Sequence, residues 1–237
     1  MKPPALIDIE IFPPFDGFPK EGLSFLKRLK RNNRRPWFEK HKSEYEEFVK
    51  LPMQSFIAAL KSPMMKLAPE FQVDPKKSMF RIYRDTRFSR NKNPYKTHIA
   101  AIFHVHGHWQ ESAGFYAHIE PGSVYVGGGI YMPGSDQLKL IRRAIAESAE
   151  EFIDIIEDRR FTRRFGSLEG EKLQRMPLGY PAHHPMGDWL KFKSFYAGAE
   201  WGEKECLSRS FVEHVLGAYS DILPLVRFLN KALGRGK

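Results

Sequence analysis

The chain has a single cysteine, Cys206, in 237 residues. One thiol excludes an internal disulfide framework, so the expected location is the reducing cytoplasm. Cys206 follows "WGEKE" with no CxxC partner, the setting of a packing or surface residue rather than a nucleophile. No run of eighteen apolar residues occurs, which excludes an ordinary membrane-spanning helix and leaves no membrane partner to expect. The opening "MKPPALIDIEIFPPFDGFP" is interrupted by prolines and acids and lacks the apolar core of a secretory signal. Neither GxGxxG nor GxxxxGK[ST] is present. The glycines of "VGGGIYMPGSD" therefore read as a bulge or a close approach of another backbone or ligand, with a phosphate cradle as the alternative. Repeats and Gly/Ser or Pro-rich linkers are also missing, so a single domain over residues 1–237 is expected.

Charge is unevenly placed. Residues 97–138 contain no Lys or Arg, whereas residues 76–96 carry eight against one acid, Asp85. The net charge is +10, which permits affinity for phosphates, nucleic acid or acidic lipid. A nucleic-acid tail would be a low-complexity run at a terminus; this block is internal and interleaved with aromatic residues, as a folded local site would be. With 42% hydrophobic and 14% aromatic residues the chain can bury a sizeable core around such a site.

The patterning predicts an α+β fold, an antiparallel meander of about four to six strands packed against N-terminal, central and C-terminal helices. Residues 1–20, rich in proline, are expected to run extended over the surface, followed by helices over 21–66. Leu23, Leu26 and Leu29 make one stripe, Asn32 and Asn33 are stop residues, and Pro36 suits the first turn of a second helix. That helix would bury Trp37, His41, Tyr45 and Phe48. Residues 79–132 hold β-branched and aromatic runs, among them "MFRIY", "THIAAIFHVH", "GFYAHIE" and "SVYVGGGIYM", separated by turn signals. Over 135–158, Leu138, Ile141, Ile145, Phe152 and Ile155 predict one long helix, capped by Ser135 or Asp136. Residues 189–198 read as a further strand, and 208–233 as helical with a break or kink at Pro224.

The basic segment "RIYRDTRFSRNKNPYKTH" carries the functional expectation. On a strand, Arg81 and Tyr83 share one face and Phe80 and Ile82 the other. Asn91, Asn93 and Pro94 supply turn chemistry, so the loop can gather Arg81, Arg84, Arg87, Lys92 and Lys96 around one point. Guanidinium forks bind carboxylate or phosphate in bidentate fashion, Asp85 would orient Arg84 or Arg87, and Tyr95 would add a hydroxyl or a stacking face. The expected partner is a small phosphorylated or carboxylated molecule, and no cofactor is indicated. Two alternatives stand beside it. In one, the acidic run Glu147–Asp158 braces the arginines, as an internal network of a structural or partner-binding domain. In the other, they line a nucleic-acid groove together with Lys27, Arg28, Lys30, Arg31, Arg34 and Arg35. His118 and Glu120 alternate on one strand and are either an acid–base pair or a buried hydrogen-bonded pair orienting an arginine. His104, His106 and His108 span about 13 Å along a strand, too far for one ion without a turn, so no metal is expected. His183 and His184 sit in a proline-bounded loop, and Lys191 and Lys193 would enlarge the positive basin.

The residues Arg81, Arg84-Asp85, Arg87-Phe88, Asn91-Lys92 and Tyr95 resemble the signature of a bacterial and fungal family, domain-of-unknown-function family 2461. The stretches "NNRRPWFEKHKSEYE", "GFYAHIEPGSVYVGGGIYMP", "LQRMPLGYPAHHP" and "LKFKSF" resemble it too, so the likeness extends over nearly the whole chain. It implies a single domain of about this length and carries over no activity, cofactor or catalytic residue.

Overall fold

The structure, a computed structural model, describes residues 12–87, 89–105 and 107–235. Phe88, His106, residues 236–237 and the first eleven residues of the N-terminal segment expected to run extended lie outside the described residues. Residues 12–19 are extended but not superficial: Phe15 and Phe18 are buried, both against Phe56 and the latter also against Phe211. Helix α1, Lys20–Arg31, buries Leu23, Leu26 and Leu29 and leaves Lys27, Lys30 and Arg31 exposed. It closes at Asn32, whose N–H donates to the Arg28 and Leu29 carbonyls. Helix α2, Arg35–Lys40, has Pro36 in its first turn, where a missing N–H costs nothing. Short α3, Lys42–Tyr45, passes through a π turn, Glu46–Lys50, into α4, Leu51–Leu67. The break at His41 and the wide turn shift the register. Phe38, Tyr45 and Val49 are therefore the buried residues, and Phe48 is only half-buried.

Four strands form one sheet in sequence order: β1 (Ile99–His104), β2 (Gly114–Glu120), β3 (Ser123–Ile130) and β4 (Phe195–Gly202), each antiparallel to the next. The fold is α+β, as expected. Period-two alternation divides the faces. Phe103, Phe115, Ala117, Val124 and Val126 turn to the core beneath helix α9, Phe211–Ala232. A Cβ on Gly128 would stand 3.0 Å from Val226 Cγ2 and 3.2 Å from Ile222 Cγ2, so this glycine sets how closely helix and sheet approach. Ile102, Tyr116, His118, Tyr125 and Tyr196 turn the other way.

"MFRIY" is not a strand of this sheet. It makes two isolated bridges, Met79 to Ala101 and Tyr83 to Tyr95. The reason is divided pairing: Phe80 N–H donates to Ala100 on β1, but from Ile82 the chain pairs with its own return leg. There Arg84 N–H donates to Pro94 and Lys96 N–H to Ile82, both at 2.8 Å.

The helical expectations after the sheet need three corrections. The long helix is two, α5 (Ser135–Glu147) and α6 (Ala149–Glu157), because Ser148 leaves helical geometry at ψ 49°. The N-cap of α5 is Gly134, whose N–H donates to Gln137 Oε1 at 2.8 Å, not Ser135 or Asp136. Helix α7, Arg159–Phe165, follows, capped by Asp158. The strand expected over 189–198 begins only at Phe195. Ahead of it lies a short helix, α8 (Gly187–Leu190), and Arg142 donates to the Leu190 and Phe192 carbonyls at 2.7 and 3.1 Å, occupying acceptors a strand would use. Pro224 neither breaks nor ends α9; it lies on the exposed side of a helix that continues to Ala232. Among the described residues no helix is long and apolar enough to cross a membrane.

Candidate functional site

The basic hairpin closes over residues 82–96. Asp85 holds Arg87 through both carboxylate oxygens, at 3.1 and 2.7 Å, and this contact keeps its carboxyl down at about 2. The pair is exposed. Arg84, half-buried, leans on the Asn93 carbonyl and Ser89 Oγ at 3.5 Å, and Lys92 Nζ donates to the Thr86 carbonyl at 3.0 Å. Tyr95 belongs to the core. Its ring stacks on Phe38 at 4.2 Å, and Asn33 holds its backbone, accepting from its N–H at 3.0 Å and donating to its carbonyl at 2.9 Å. The acidic run Glu147–Asp158 is engaged elsewhere: Glu147 with Arg143, Glu151 with Lys231, Asp158 as the cap of α7.

Lys96 and Arg81 point the way to a second feature. Lys96 Nζ lies 4.8 Å from the centroid of the Phe80 ring, at the edge of a cavity of about 410 Å³ on the sheet face turned away from α9. Strand alternation supplies its floor: Ala100 and Ile102 from β1, Gly114 from β2 and Gly129 from β3. Gly129 has φ +130°, a conformation that favours glycine. Rings make the walls. Phe80 meets Trp109 edge-on at 5.6 Å and Tyr116 at 6.3 Å, and across the floor Tyr131 packs on Tyr196 at 5.7 Å. Toward Lys96 the lining turns polar, with His98 and His118 5.3 Å apart and His118 stacked on Tyr125 at 5.6 Å. Tyr125 lies flat across β4 because residue 198 is glycine; a Cβ there would be 2.2 Å from the Tyr125 ring. Its hydroxyl donates to Glu169 Oε1 at 3.0 Å, which also accepts from the Gly198 N–H.

Burial sets the protonation of this lining. It holds His98 down at about 4, helped by His118 and Lys96. It lowers His118 as well, against the pull of Glu120 and Glu200. Tyr116 is pushed up to about 12 by burial and then by Glu120, and Tyr125 is raised by burial and by Glu169. Lys96 is lowered by burial first and by Arg81 second. Burial thus disfavours charge on both imidazoles and on the Tyr116 and Tyr125 phenols, while Lys96 stands at the edge of the lining and the Glu169 carboxylate is taken up by Tyr125 and the Gly198 N–H.

The family model described as conserved hypothetical protein (DUF2461) matches residues 21–228. The chain belongs to the DUF2461 family. No curated protein matches it. The match runs from α1 into α9, so the DUF2461 region holds every wall of the cavity as well as the basic hairpin. Of the residues singled out from sequence, the DUF2461 cavity brings together Lys96 and His118; Glu120 is half-buried on the same face but outside the lining. Among the described residues no group of three His, Cys, Asp or Glu is placed to hold a metal. His104 Nδ1 donates to the Val105 carbonyl, and His108 and His184 accept from backbone N–H groups. Lys193 pairs with Glu171. Sequence reasoning missed Phe80, Tyr116 and Tyr125 as walls. The signal was present: the alternation that puts His118 on the free face puts Tyr116 there, and Tyr125 sits opposite His118 in register. Glu169 gave no signal, since it reaches the site from an irregular segment bridged to Tyr196.

Proposed function

We propose that this DUF2461 protein binds a small anionic molecule with a flat body on the free face of its sheet, with Lys96, beside Arg81, receiving the anionic end. The observation that carries the reading is Lys96 itself. It is half-buried over the Phe80 ring, and no carboxylate stands within ion-pair distance of it among the described residues. Desolvated ammonium without a counter-charge is unfavourable, and a carboxylate or phosphate arriving at Nζ relieves it. Aromatic walls around a cavity of this size suit a planar body, with few polar groups to fix its orientation. The outer hairpin completes the reading: Arg84 and Lys92 add positive potential that steers an anion inward, while Arg87 is neutralised by Asp85. If a proton moves, His118 takes it. Burial keeps the ring neutral and ready, while Glu120 and Glu200 favour the imidazolium once formed.

The test is a melting-temperature screen of aromatic carboxylates and aryl phosphates at millimolar concentration, run on wild type and Lys96→Met. At least one compound is expected to raise the wild-type melting point by several degrees and to have little effect on the variant, because a ligand bound only to the native state must stabilise it. A flat response to every compound in the wild type sinks the proposal.

A further inference from the structure

Ser112 is 3% exposed, yet its Oγ has no hydrogen-bond partner among the described residues. It lines the same cavity as Lys96. Buried hydroxyls are normally paired, and one left alone is destabilising, so this group needs an account. Its neighbours deny it an easy route to water. Ala113 N–H donates to Asn230 Oδ1 at 2.8 Å and Asn230 Nδ2 donates to the Ala113 carbonyl at 3.1 Å, both inside the core. Two residues on, Gly114 faces Gly129 across the β2–β3 pair, so no side chain fills the space over the strands at this end.

Lys96 and Ser112 stand at opposite ends of this space. Lys96 enters just before Ile99, which pairs with Ile119 near the end of β2; Ser112 stands just before Gly114, where β2 begins. Five residues of strand separate these backbone points, about 17 Å at the usual rise, and the Lys96 side chain shortens the gap by reaching over Phe80, which pairs with Ala100. The cavity is a slot along β2, cationic at one end, hydroxyl-bearing at the other, and walled by rings between.

Resting on the reading of the pocket above, we infer that its ligand is polar at both ends. A carboxylate or phosphate meets Lys96, a flat body lies along Phe80 and Tyr116, and a hydroxyl, carbonyl or amide at the far end shares a hydrogen bond with Ser112 Oγ, which a turn about χ1 brings from its covered position to the cavity surface.

A matched pair of probes isolates the second contact: para-hydroxycinnamate and cinnamate, which differ only in the distal hydroxyl. Each is titrated calorimetrically into wild type and Ser112→Ala. Wild type is expected to bind the hydroxy acid about fivefold to tenfold more tightly, the scale of one net hydrogen bond. Ser112→Ala is expected to lose that preference while its affinity for cinnamate stays within about twofold, and to melt no lower than wild type, since the hydroxyl removed had no partner. Should the alanine variant not fold, Ser112→Cys, close in volume, serves the same comparison. Equal affinity of wild type for the two acids, or a preference that survives the substitution, overturns the inference and leaves the pocket reading standing. Binding of neither acid overturns the inference; the pocket reading falls only with a flat melting-temperature screen.

Discussion

Beneath α9 the sheet presents Phe103, Phe115, Val124 and Val126, all at 0% exposure; from the same strands, one residue out of step, come Ile102, Tyr116 and Tyr125, all half-buried. The first set interlocks with a helix and leaves no room, since a Cβ added at Gly128 would come within 3.0 Å of Val226 and 3.2 Å of Ile222. The second set encloses space and carries the perturbed titratable groups. What the contrast teaches is a division of labour: packing stability sits on one face and the proposed ligand chemistry on the other, so substitutions should separate the two.

The sharpest test of that separation is Phe115→Ala. Its ring packs on Phe71 and Tyr219, and its loss is expected to cost about 3–5 kcal/mol in urea denaturation, an effect out of proportion to any on the free face. Lys96→Met should do the reverse. Anion affinity should fall at least about tenfold by calorimetry, with stability unchanged or slightly raised, because a desolvated charge has been removed. Tyr219 tests the core face from the other direction. Its hydroxyl is buried with no partner among the described residues, so Tyr219→Phe is expected to gain up to about 1 kcal/mol of stability; a loss of that size would mean the hydroxyl is satisfied after all.

Acid sensitivity belongs to the free face. His98 binds its proton only near pH 4 in the folded protein, against an ordinary value of 6.5, so the unfolded chain takes up more protons between these limits. Stability therefore stands at its full value above about pH 6.5 and is lost as pH falls toward 4. His98→Gln should flatten that part of the profile by a few degrees of melting temperature, and an unaltered slope would show that the ring is solvated. Smallest of all is Arg87→Ala. The pair with Asp85 is exposed and solvent-screened, so its loss should leave the melting temperature almost unchanged.

Much of this division is visible in the amino-acid string. The alternation in "GFYAHIE" and "SVYVGGGI" specifies strands with two unlike faces, and the switch to threefold and fourfold spacing marks the flanking helices. What pattern does not fix is pairing over distance. "MFRIY" has strand composition but divides its hydrogen bonds between β1 and its own hairpin. The run after Trp189 has the same composition, but Arg142, from a helix some fifty residues earlier, claims its carbonyls. Ser148 and the π turn at Glu46–Lys50 are tertiary compromises that leave periodicity almost untouched. The basic block drew notice through its charge, while the cavity beside it is assembled from uncharged rings whose convergence only the sheet register reveals.

Asn33 gives the arrangement a mechanical side. Its amide clamps both backbone groups of Tyr95, sixty-two positions further along, and the very next residue is the lysine at the slot. Any displacement of Lys96 toward a guest must therefore tug on the turn between α1 and α2. A guest in the proposed pocket would in this way be felt by the N-terminal helices, on a tether one residue long.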